Sequence, residues 1–180
     1  MFSLDTLTEQ SRTTLDRFRL DGRTALVVGG TKGLGQAMAL ALAAAGADVC
    51  IAGRGPAGLE ETAAAITSLG RRGTHYAADV TDEAQVAAMV AEVVARYGRI
   101  DILVNSQGLV ALQPSHEFRL EDWQQVVDVN LKSVFLCCKH VGGVMLKQHR
   151  GKIINVSSVR GFQGRAQDAA YAPTKGAVNQ

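Results

Sequence analysis

Gly29, Gly33 and Gly35 stand between two runs of opposite character. The run 24–28, Thr-Ala-Leu-Val-Val, is short and apolar and reads as a buried strand. The run 36–45 is rich in alanine and leucine and reads as a helix. A Gly-x-x-x-Gly-x-Gly spacing between strand and helix turns the chain tightly, lets backbone approach a pyrophosphate and packs the helix on the sheet. The helix start adds N–H donors for phosphate oxygens. An ordinary glycine turn is the plainer alternative. On the first reading, Gly29, Thr31, Lys32, Gly33, Leu34 and Gly35 are candidate cofactor contacts.

Beyond this loop the pattern keeps alternating. Strands are expected at 24–28, 48–52, 74–78, 100–105 and 152–156. Helices are expected at 34–45, 58–69, 83–97, near 121–130, and at 132–148. In 83–97 the apolar positions Val86, Met89, Val90, Val93 and Val94 form a stripe, Thr81 or Asp82 can cap the start, and Gly98 stops the run. Strands joined by helices imply an α/β fold: a doubly wound parallel sheet, Rossmann-like, in three α/β/α layers. We assign a single domain over 21–180, preceded by a leader at 1–20 whose Leu4, Leu7, Leu15 and Phe18 can form a frayed amphipathic helix. Ligands of such sheets bind beyond the C-terminal strand ends. Gly53-Arg54, Asp79, the stretch 105–108 and Ser157-Ser158 all fall there.

With 47% hydrophobic residues and a net charge of +2, the chain can build a core and calls for no nucleic-acid or acidic partner. No apolar run reaches the length needed to span a bilayer. The leader mixes acids with bases and is no signal peptide. Cys50, Cys137 and Cys138 show no metal-ligand spacing, and adjacent cysteines are badly placed to pair. These features point to a reduced, cytoplasmic protein without a metal.

Tyr171 and Lys175 lie at i, i+4, on one helix face. A free tyrosine, with a pKa of about 10, is a poor acid or base at neutral pH. A neighbouring ammonium favours its phenolate. Pro173 is tolerated only in a first turn, so this helix should begin no earlier than about Ala170. The pair then stands where helix N–H groups add positive potential. Alone, the spacing is weak.

Together, the glycine loop, Asp79-Val80, Asn105-Ser106-Gln107-Gly108, Asn130, Ser158 and Tyr171/Lys175 resemble the short-chain dehydrogenase/reductase family in order and spacing, from Leu20 to Gln180. The resemblance implies an oxidoreductase that interconverts a secondary alcohol and a ketone with a nicotinamide cofactor. It makes Tyr171 the general acid or base, and gives Lys175 the roles of tuning Tyr171 and binding the nicotinamide ribose. Ser158 would hydrogen-bond the substrate oxygen. Asn130, in Asp128-Val129-Asn130-Leu131, would hold a relay water. Asp79 would accept from the adenine amino group beside Val80, or simply cap the loop. Asn105 and Gly108 complete the implied cofactor contacts. Ser157 is the nearest rival to Ser158. Ser106, Gln107 and Val28 depart from the family's usual asparagine, alanine and threonine, a matter of local stability more than of chemistry.

The second strand ends in Gly53-Arg54, with Gly53 at the family's usual aspartate position. A guanidinium there can fork onto a 2′-phosphate, and Lys32 adds a second cation, so NADP(H) is favoured over NAD(H). Solvated surface charges are the alternative. Loops 109–116 and 159–167 would meet the substrate, the second through Arg160, Gln163 and Arg165. The flavour is that of gluconate-type sugar-acid and polyol members, with a 3-oxoacyl thioester or general ketone as the alternative. Family members extend beyond the Tyr/Lys helix, so the chain is expected to be C-terminally incomplete, and a homo-oligomer, tetramer or dimer, when full length. The rival from another class is an NADP(H)-binding module without turnover.

Overall fold

The computed structural model describes residues 3–5, 8 and 14–180. The expected leader helix falls partly outside them: Leu7 and the side chain of Leu15 are not among the described groups. Leu15–Phe18 forms one 3-10 turn, and Leu4 and Phe18 are exposed.

Five strands follow: β1 (Thr24–Val28), β2 (Asp48–Gly53), β3 (Gly73–Ala77), β4 (Ile102–Asn105) and β5 (Lys152–Asn155). They form one parallel sheet in the order β3-β2-β1-β4-β5. The helices between them are α1 (Gly33–Ala44), α2 (Pro56–Ser68), α3 (Glu83–Tyr97), α4 (Leu120–Val127) and α5 (Ser133–Lys147), and α6 (Tyr171–Asn179) follows β5. Alternate residues of β1 serve opposite faces of the sheet. Ala25 and Val27 pack with Ala39 and Ala43 of α1 and Leu59 and Ile66 of α2. Leu26 and Val28 pack with Val86, Met89 and Val93 of α3 and Leu136, Cys137 and Val141 of α5. These two cores make the three layers. They also explain why the central strands read as unbroken apolar runs.

Local chemistry sets the helix ends. Asp82 caps α3 by accepting from the N–H groups of Ala84 and Gln85, and Gly98 ends it in the left-handed region at φ 78°. Pro173 sits in the first turn of α6, which begins at Tyr171. The Gln148 side chain clamps the end of α5 to the entry of β4, accepting from the Ile100 N–H at 3.1 Å and donating to its carbonyl at 2.8 Å. Burial pushes the Cys137 thiol up to about 12, as suits a core residue rather than a nucleophile.

Two expectations need correction. The helices foreseen near 121–130 and at 132–148 join through a π-helical segment, Asp128–Lys132, into one helical stretch, Leu120–Lys147. Val127 and Ser133, on either side of the segment, keep helical backbone angles, so no break interrupts the chain there. That stretch is, by length and composition, long and apolar enough to cross a membrane, contrary to the reading that no run reaches that length. Nearly half of its apolar window is buried inside the protein, and Leu136, Cys137, Val141 and Met145 sit in the core, which accounts for the apolarity.

Candidate active site

The strand order reverses between β1 and β4, and a crevice opens beyond their C-terminal ends. The loops leaving the two strands touch. At Gly29, with φ 83°, a Cβ would lie 2.7 Å from the Gln107 nitrogen, so only glycine fits. At Gly35 a Cβ would overlap the Gly29 carbonyl oxygen, so α1 can approach β1 this closely only with glycine.

The crevice is a cavity of about 730 Å³. Gly29, Thr31, Lys32 and Gly33 line it from the loop after β1, Gly53 and Arg54 from the end of β2, and Asp79, Val80 and Thr81 from the loop after β3. Ser106, Gln107, Gly108 and Val129 close the side beyond β4. No side chain caps the start of α1, whose first N–H groups follow Lys32. Asp79 Oδ1 accepts from the Thr81 N–H at 3.0 Å and from its hydroxyl at 2.8 Å. Those bonds, with Arg54 nearby, hold the Asp79 carboxyl below its ordinary range. The donor set, an uncapped helix start with Lys32 and Arg54, fits phosphate groups.

Leu34, Gly35 and Asn105 do not line this cavity. Leu34 is exposed. Asn105 is buried and donates to Asn155 Oδ1 at 2.8 Å, tying β4 to β5. Gln107 donates to Ser133 Oγ at 2.9 Å and so anchors the loop after β4 to the start of α5. Its Oε1 is buried without a partner.

Gly108 links the cavity to a second cluster: a Cβ there would lie 3.7 Å from Asn130 Oδ1 and 4.0 Å from Lys175 Nζ. Asn130 is fully buried in the π-helical segment. Its Oδ1 accepts from the Leu109 N–H at 2.7 Å, and its Nδ2 donates to the Leu109 carbonyl at 2.9 Å and to Thr174 Oγ1 at 3.1 Å. Asn130 thereby pins the loop after β4 to α6. Thr174 had no signal of its own in the sequence beyond standing next to Lys175.

Lys175 is buried, and burial lowers its pKa. Its Nζ donates to the Val156 carbonyl at 2.7 Å and stands 5.9 Å from the Tyr171 ring centre. The two serines separate. Ser157 donates its hydroxyl to the Lys175 carbonyl at 2.9 Å, holding α6 against the exit of β5. Ser158 Oγ accepts from the Arg160 N–H at 3.1 Å and keeps its own proton for another acceptor. Asp168, also buried, accepts from the Ala172 N–H at 2.9 Å at the start of α6.

A model of the short chain dehydrogenase family matches residues 23–180. The chain belongs to that family. It is 41% identical over 165 residues to the 2-dehydro-3-deoxy-D-gluconate 5-dehydrogenase of Dickeya dadantii, covering 91% of this chain and 64% of that protein. It is 42% identical over 160 residues to the D-threitol dehydrogenase of Mycolicibacterium smegmatis, covering 88% and 61%. Among solved structures, a gluconate 5-dehydrogenase from Burkholderia cenocepacia in complex with NADP and tartrate superposes with a TM-score of 0.87 at 42% identity, over 92% of this chain and 65% of that one. The chain therefore spans a little under two thirds of the length of these relatives.

Proposed function

We propose that this protein binds NADP(H) and interconverts a secondary alcohol and a ketone on a sugar acid or polyol. The observation that carries the proposal is the continuity of the site. The cationic cleft at the end of β1 and β2 runs to Gly108, where Asn130 and Lys175 begin. Arg54 and Lys32 would hold the 2′-phosphate, the start of α1 the pyrophosphate, and Asp79 and Val80 the adenine. A bound nicotinamide would exchange the hydride: in oxidation it would accept one from the alcohol carbon as the hydroxyl proton leaves, giving ketone, reduced cofactor and H⁺, and in reduction it would return it.

The residues of the chain handle the proton and the orientation. Ser158 donates to the substrate oxygen and lowers the cost of charge developing on it. Tyr171 gives its proton to that oxygen in reduction and takes one in oxidation. Lys175, with one donor spent on Val156, keeps two for the ribose and for the oxygen of Tyr171. Asn130 holds the proton path beside Lys175 in register with α6. Arg160, Gln163 and Arg165 suit the hydroxyl and carboxylate groups of a sugar acid, the substrate class named for the Dickeya relative. The same proposal places the protein in the cytoplasm as a homo-oligomer.

Tyr171→Phe tests the chemistry. Turnover on a panel of keto sugar acids, polyols and acetoacetyl thioesters should fall by about 10²–10⁴-fold while NADPH still binds. Retained turnover would remove Tyr171 from the mechanism. A second reading, cofactor binding without turnover, draws on one observation: Ser158, Tyr171 and Lys175 lie outside the lining of the cleft. NADPH binding with no turnover by the wild-type chain on any member of the panel would favour it.

A further inference from the structure

The opposite end of the sheet carries a second cavity, of about 300 Å³, where β1, β4 and β5 begin. Arg23, Asp101, Arg150 and Lys152 are among its walls. Each comes from the entry to one of three neighbouring strands: Arg23 precedes β1, Asp101 precedes β4, Arg150 precedes β5, and Lys152 opens it.

Charge is out of balance here. The Asp101 carboxylate is only 5% exposed and is occupied by Arg99, which donates Nε to Oδ2 at 2.7 Å and Nη2 to Oδ1 at 2.6 Å. Oδ2 also accepts the Thr24 N–H at 3.1 Å. Arg23 Nη1 and Arg150 Nε stop at 3.7 Å and 3.6 Å from Oδ1, beyond hydrogen-bond distance. One carboxylate thus faces Arg23, Arg99 and Arg150, and Lys152 lines the same cavity. The neighbouring acids Asp21 and Asp48 are engaged by Arg19 and Arg71. The strand entries do not need the extra cations, because backbone bonds already join them: Asp101 N–H to the Thr24 carbonyl at 2.8 Å, and Lys152 N–H to the Asp101 carbonyl at 2.9 Å.

We propose that this cavity is a second anion site, which takes a phosphoryl group carrying two or more negative charges. Guanidinium forks match phosphate oxygens, and the lysine adds a point charge. The group is either a free anion or one carried on a nucleotide or metabolite. The site lies at the other end of the strands from the cofactor cleft and is independent of the function proposed there.

The test titrates inorganic pyrophosphate, at fixed ionic strength, into the full chain carrying Lys32→Gln and Arg54→Gln, which strip the cofactor cleft of its cations. One binding site should remain by calorimetry. Adding Arg150→Gln and Lys152→Gln should weaken it about tenfold or more. The charge-keeping pair Arg150→Lys and Lys152→Arg should retain most of the affinity. If the quadruple variant does not fold, Lys152→Gln alone in the same background should show a smaller loss in the same direction. Tighter binding of ADP than of pyrophosphate would assign a carried phosphate, and equal or weaker binding a free anion. Absence of binding in the Lys32→Gln/Arg54→Gln protein, or affinity untouched by loss of Arg150 and Lys152, would overturn the proposal.

Discussion

β1 and β5 are both short parallel strands with an apolar middle, and each launches a loop that bears site residues, yet their surroundings differ sharply. Every residue of β1 is buried, with β2 and β4 on its two sides. Among the described residues of this chain, which spans a little under two thirds of its relatives' length, β5 pairs with β4, and Ile153 and Ile154 are 40% and 47% accessible. The glycine loop hangs from β1 and is fixed by close packing, as the contact of Gly29 with Gln107 shows. The loop with Ser158 hangs from β5. Hydrogen bonds tie it down: Ser157 to the Lys175 carbonyl, Lys175 to the Val156 carbonyl, the Arg160 N–H to Ser158 Oγ and the Gly161 N–H to the Ser158 carbonyl. The glycine-loop side is thus held chiefly by backbone packing, and the Tyr/Lys side by polar links together with the close approach of Gly161 to α6, where a Cβ would lie 2.8 Å from the Lys175 carbonyl oxygen.

Four substitutions probe that contrast, in decreasing order of effect on stability. Gly35→Val drives side-chain atoms into the Gly29 carbonyl, a backbone atom that cannot yield cheaply. It should cost about 3 kcal/mol of stability and abolish NADPH binding, read by thermal melting and fluorescence titration. Survival of cofactor binding would show that packing does not set the cradle. Asn130→Ala strips the Leu109 N–H and carbonyl of their partners and should cost about 2 kcal/mol. Turnover should suffer more than NADPH affinity, because the link to α6 goes with it; an equal loss in both would place Asn130 on the glycine-loop side. A smaller change is Ser157→Ala, worth about 1 kcal/mol through one hydrogen bond to the Lys175 carbonyl. Ser158→Ala should leave stability nearly unchanged and lower kcat instead. The reverse pattern would exchange the roles of the two serines.

Much of this was legible in the sequence where local rules and tertiary packing agree. The run 83–97 became α3 with both ends as foreseen, because Asp82, Gly98 and the valine stripe all favour the same limits. Pro173 set the start of α6 in the same way. The sealed strands were plain because burial on both faces leaves an unbroken apolar run. Features that depend on distant partners were not legible. Ser157 and Ser158 are neighbours of one type, and only the approach of the Lys175 carbonyl distinguishes them. The bond from Gln107 to Ser133 joins residues far apart in the chain. The arginines around Asp101 come from separate strand entries and form no motif in line. β4 starts at Ile102, not at Ile100, and the Ile100 N–H and carbonyl are taken by the Gln148 side chain.

The proposal that matters most is that the cleft beyond β1 and β2 takes a cofactor bearing a 2′-phosphate, with Arg54 as its reader. Fluorescence titration of NADPH and NADH against the wild-type chain and Arg54→Asp addresses it directly. The account predicts that the wild type binds NADPH about tenfold or more tightly than NADH, and that Arg54→Asp weakens NADPH and improves NADH. An NADPH/NADH ratio that Arg54→Asp leaves unchanged would contradict it.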